Sequence, residues 1–92
     1  SSLPPEWGAR YALARGAALM GTEDWPGLLD HLTALEDQEY QGETGLYLAL
    51  MEVEAALQLG ETGRATAALE RIVTAAPESP EATLARRILA GE

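Results

Sequence analysis

Residues 59–79 read LGETGRATAALERIVTAAPES, and the fold turns on how that stretch is punctuated. Gly60 precedes an apolar stripe of Ala65, Leu69, Ile72 and Val73, and Pro77 follows it. The spacing of those four residues puts them on one side of a helix. Glycine suits the left-handed position that closes a preceding helix, and proline cannot continue one. The stretch therefore predicts a helix end at Gly60, a new helix from about Thr62, and its end before Pro77.

Downstream, Ser79 is placed to cap a further helix, with Pro80 at its first position. Leu84, Ala85, Ile88 and Leu89 make its predicted apolar side, while Arg86 and Arg87 lie toward its negative end. Upstream, Leu46, Leu50, Val53 and Leu57 form a helical stripe that starts near Thr44 and stops at Gly60. Before that, GTEDWPG (residues 21–27) punctuates: Thr22 or Asp24 can cap the next helix and Pro26 fits its first turn. Leu28, Leu29, Leu32 and Leu35 follow, and the pattern fades in EDQEYQGETG (residues 36–45). The first helix reads through Tyr11, Leu13, Ala14, Ala17, Ala18 and Met20 to Gly21, after an extended SSLPPE lead-in. Five helices joined by short loops predict an all-α stack of antiparallel hairpins with one continuous apolar seam.

The units repeat. A shift of 37 residues lays Leu13 on Leu50, Met20 on Leu57, Leu28 on Ala65, Leu32 on Leu69 and Leu35 on Ile72, and a shift of 34 lays Leu50 on Leu84. Recurrence of a helix–turn–helix unit at that interval is how a helical solenoid shows itself in a sequence.

Those residues resemble a tetratricopeptide repeat. Gly60, Ala65, Leu69, Ile72 and Pro77 fall where that family closes its first helix, packs a small residue, continues its apolar face and stops. Gly16 stands where the family wants a small residue for close helix packing, and Trp25 follows the acidic turn residue Asp24. The resemblance implies a right-handed solenoid forming a single domain, with repeats over 9–42 and 46–79 and a capping helix over 79–91. The pattern departs at three places: Tyr40 replaces the first closing proline, residues 43–45 are extra, and Leu28 stands where alanine is usual. In addition, the first helix of each unit carries its large apolar residues one position late.

That slip matters for function. The resemblance implies a concave groove lined by the first helices, gripping a peptide or helix of a partner protein. The matching positions are Leu13, Ala17, Met20, Tyr47, Leu50, Met51, Glu54 and Leu57, continued by Leu84 and Ile88 on the cap. The same stripe can instead be core between repeats, since apolar residues at helical spacing usually are. It can also pair two copies of the chain, which makes self-assembly within a larger bacterial protein the alternative function. The bacterial source is suggested by basic residues that are all arginine and by abundant alanine and glycine.

Composition narrows the partners. The 92 residues carry a net charge of −9 and no cysteine, so neither disulfides nor thiolate metal sites are available. Between Arg15 and Arg64 no Lys or Arg occurs, whereas ten acidic residues do. Such a surface repels phosphate backbones and anionic lipid heads, so nucleic acid is not an expected partner and a basic protein face is. No apolar run long enough to cross a bilayer and no signal-peptide pattern is found. The cytoplasm is the first reading of location and the periplasm the second.

No residue set points to catalysis, a cofactor or a metal. His31 is the only histidine, and Asp30 beside it on a helix points to a different side. Glu36, Asp37, Glu39 and Glu43 lack the alternating spacing of a calcium loop. A non-enzymatic module is expected. Trp25 is expected in the corner between the first two helices, and Trp7 is expected to staple the chain's start onto the third.

Overall fold

The computed structural model describes residues 5–35 and 42–91. These form five helices and no strand: α1 (Pro5–Gly21), α2 (Trp25–Ala34), α3 (Gly42–Gln58), α4 (Thr62–Ala75) and α5 (Pro80–Leu89). The all-α class is as expected. The readings placed on Tyr40, Glu36, Asp37 and Glu39, and on the Trp7 side chain, lie outside the described residues.

Helix ends follow the local chemistry. Asp24 caps α2, its side chain accepting from the Gly27 N–H at 3.1 Å. A Cβ on Gly27 would sit 2.4 Å from Asp24 Oδ2, so a larger residue there would make the capping carboxylate shift. Thr22, the other candidate, instead returns its hydroxyl to the Leu19 carbonyl at the end of α1. Ser79 caps α5 by accepting from the Ala82 N–H at 3.0 Å, with Pro80 next. Gly60 adopts φ +74° and closes α3 in a Schellman arrangement, with Glu61 N–H on the Ala56 carbonyl and Gly60 N–H on that of Leu57. The end of α1 has the same bonds, Asp24 to Leu19 and Glu23 to Met20. There the left-handed residue is Glu23 (φ +57°), which a side chain disfavours by about 1 kcal/mol.

The structure corrects four expectations. First, α1 begins at Pro5 rather than after an extended lead-in, because proline is tolerated in a first turn. Second, of the expected α3 stripe Val53 is buried, Leu46 and Leu50 are half-buried against the second cluster and Leu57 is exposed, while Leu48, Glu52, Ala55 and Ala56 are buried beside it. The helix touches α1, α2 and α4, so it buries more than one side and no single stripe describes it. Third, of the apolar side expected for α5 only Ala85 is buried, joined by Ala82, while Leu84 is 54% and Ile88 and Leu89 each 39% exposed. Among the described residues the backbone of α5 comes within 8 Å of α4 alone, and small alanines allow that close approach.

The fourth correction concerns the core. Instead of one continuous seam there are two clusters. Ala12, Leu28, Leu29, Leu32, Leu48 and Ala55 form one between α1, α2 and α3. Val53, Ala68, Leu69, Ile72, Ala82 and Ala85 form the other between α3, α4 and α5. Helix α3 belongs to both, and the contact that joins α2 to α4 is polar. Arg64 on α4 donates to the Thr33 hydroxyl (2.7 Å) and the Leu29 carbonyl (3.3 Å) on α2. The 37-residue correspondence survives in the burial of Leu28 with Ala65 and of Leu32 with Leu69. It is incomplete at the C-terminal end: the backbones of α1 and α3 approach within 8 Å, whereas among the described residues those of α3 and α5 do not.

Candidate functional site

A hollow of about 560 Å³ lies between the first three helices, lined by Leu13, Ala17 and Met20 of α1, Trp25 of α2, and Tyr47, Leu50, Met51 and Glu54 of α3. Helical spacing assembles it. Positions 13, 17 and 20 fall on one side of α1, and 47, 50, 51 and 54 on one side of α3. The two helices approach closely because residue 16 is glycine. A Cβ there would meet Met51 Sδ at 2.6 Å.

Seven of the ten residues assigned to a groove thus line one hollow, and Leu84 and Ile88 of α5 do not. Leu57 does not either, and it stands 49% exposed near the end of α3. Trp25 was missed as a lining residue; it is half-buried against the first cluster, as a corner residue would be, and shows its remaining surface to the hollow. The sequence signal for that dual placement was weak, since it depends on how α2 leaves its turn.

The lining is almost wholly apolar, with Glu54 as its one charged residue. Glu54 is exposed and accepts from Gln58 Nε2 at 3.1 Å. A cation entering the hollow would find a carboxylate at its edge and apolar walls on either side.

The other singular residues do structural work. His31 Nε2 lies 3.0 Å from the Ala12 carbonyl. A carbonyl only accepts, so this nitrogen carries the proton and ties α2 to α1. The Tyr11 ring meets His31 edge-on, with centroids 6.3 Å apart. Glu52, which the sequence reading counted only among the acidic residues, is buried and accepts from Arg64 Nε (2.9 Å) and from Arg71 Nη2. Its signal was available: Arg64 and Arg71 lie two turns apart on one side of α4, and Glu52 interrupts an otherwise apolar side of α3.

A second hollow, of about 620 Å³, lies among α2, α3 and α4, with Leu35 and Gly45 at its rim on either side of residues 36–41. Among the described residues no group of acidic or histidine side chains is arranged to hold a metal ion. No described helix is long and apolar enough to cross a membrane. No protein-family model matches the chain, and no curated protein or solved structure does.

Gly16→Ala tests the close approach. Alanine gains about 1 kcal/mol over glycine in a helix, but crowding Met51 costs about 1–3 kcal/mol. The net expectation is a loss of about 1 kcal/mol in chemical unfolding. In a Met51→Ala background the clash is gone, so the same substitution is expected to stabilise. A loss of equal size in both backgrounds would contradict the packing described.

Proposed function

We propose that this chain is a non-catalytic interaction module, a short tetratricopeptide-like solenoid, that docks an amphipathic helix or peptide of a partner protein in the α1–α3 hollow. The observation that carries this reading is the hollow itself: a shallow, open, apolar surface of three helices whose single charged residue is a carboxylate. Apolar side chains of the guest would fill the space between Leu13, Met20 and Leu50, and a Lys or Arg beside them would meet Glu54. Met20 and Met51 are the only methionines in the chain, and both line the hollow. Methionine's flexible, polarisable side chain adapts to guests of varied shape. The run of ten acidic residues between Arg15 and Arg64 favours a cationic guest in the same way. Grooves of this kind take helices through anchors spaced three and four residues apart.

Selection from a displayed library of random peptides tests the proposal. The expected winners pair apolar residues at helical spacing with Lys or Arg. Their binding should fall at least tenfold on Leu50→Asp, which also disturbs the second cluster that Leu50 packs against, and on Ala17→Arg, with helicity by circular dichroism unchanged in the latter. Ala17 is exposed, so the second substitution blocks the hollow without entering the core. Winners that bind the Ala17→Arg variant as tightly as the original would overturn the proposal.

A further inference from the structure

The exposed side of α5 has the features that the hollow requires of a guest. Leu84, Arg87 and Ile88 stand at positions i, i+3 and i+4 of this helix and therefore on one flank. Leu84 is 54% and Ile88 39% exposed, although each is a large aliphatic residue. Arg87 makes no hydrogen bond or ion pair among the described residues. The other cations are placed differently. Arg64 and Arg71 are held by Glu52, Arg86 donates to the Pro77 carbonyl, and Arg10 and Arg15 belong to α1, which is a wall of the hollow.

The flank cannot serve its own hollow. Among the described residues no Cα of α5 lies within 8 Å of one in α1, α2 or α3, which build the hollow, and the molecule is elongated at 46 × 28 × 20 Å. A guest helix and its receptor surface therefore belong to different parts of one chain. From this we infer that α5 of one copy docks into the α1–α3 hollow of a second copy, Leu84 and Ile88 entering between the apolar walls and Arg87 meeting Glu54. This rests on the docking reading above and names one partner for that site. The two surfaces differ, so the contact is head-to-tail: each copy keeps a free hollow at one end and a free α5 at the other, and association continues into open chains. A single helix face is a small interface, so the association is weak, with growth expected between roughly 10 μM and roughly 1 mM.

Sedimentation of the whole chain over that range, with two variants, tests the inference. The wild-type average mass is expected to rise past that of a dimer. Ala17→Arg blocks the hollow and leaves α5 intact; Leu84→Glu, at an exposed position, blocks α5 and leaves the hollow intact. Each variant alone should stay monomeric, and their equal mixture should form a dimer and grow no further. A wild-type chain that is monomeric at the highest concentration would overturn the inference. So would a mixture that stays monomeric, or a single variant that still dimerises, because either means the two copies meet through the same surface or not at all. Peptides selected as above separate the two proposals. If they bind Leu84→Glu at full strength while the wild type remains monomeric, the hollow is a docking site and α5 is not its guest.

Discussion

Glu52→Ala is expected to lower the free energy of unfolding by about 3 kcal/mol. Glu52 is 8% exposed and holds two guanidinium groups, and through Arg64 it fastens α4 to the Leu29 carbonyl and the Thr33 hydroxyl of α2. Removing the carboxylate leaves Arg64, whose side chain is 25% exposed, charged and without its partner. Breaking a buried pair costs about 3–5 kcal/mol. The lower end applies because the Arg71 side chain is 55% exposed and recovers its hydration. The pair as a whole is worth much less than the cost of breaking it. Replacing Glu52 and Arg64 together by leucine is therefore expected to restore most of the loss. Urea unfolding of the single and double variants checks both statements. A single variant that loses under 1 kcal/mol would mean that Glu52 does not join the two halves.

The second large effect is expected at Leu28, one of the two largest fully buried side chains among the described residues. Leu28→Ala removes its contacts and leaves a cavity, at a cost of about 3–4 kcal/mol. A chain of this size has roughly 5–14 kcal/mol in total, so the variant should still fold but melt at a markedly lower temperature. Ile72→Ala, in the other cluster, is expected to cost a similar amount. The informative feature is the shape of the transition. Leu48 and Ala55 of α3 belong to the first cluster and Val53 to the second, so neither half can unfold without stripping one side of a shared helix. Both variants should therefore melt in one cooperative step by far-UV circular dichroism and tryptophan fluorescence. Separate transitions for the two probes in Leu28→Ala would show that the halves are independent.

The parts of the fold that were legible beforehand are those set by local chemistry. Gly60, Pro77, Ser79 with Pro80, and Asp24 each act within a turn of the residue that carries the signal, and each marks a boundary in the structure. Seven groove positions were also legible as a group, because helical spacing alone puts 13, 17 and 20, and 47 to 54, on shared sides of their helices. What failed depends on neighbours. Hydrophobicity picked Leu84, Ala85, Ile88 and Leu89 as the apolar side of α5, of which only Ala85 is buried, together with Ala82, because two closely packed helices bury small side chains between them. The stripe chosen for α3 assumed one covered side, and a helix with partners on several sides does not show one. Glu52 carries no mark of burial in its own residue type; only its two arginine partners on another helix explain it.

The central claim is that the hollow between α1 and α3 receives a cationic amphipathic helix. The chain contains two methionines, Met20 and Met51, and both line that hollow. Their ε-methyl groups, labelled with carbon-13, therefore report on it and on the first cluster, against which both residues pack. The measurement is a methyl NMR titration with a synthetic helical peptide of leucine and lysine patterned to present one apolar side. Shifts of both methyl signals, saturating together and lost in Ala17→Arg, are the predicted result. Binding of the peptide with both signals unmoved, or no binding at millimolar peptide, would contradict the account.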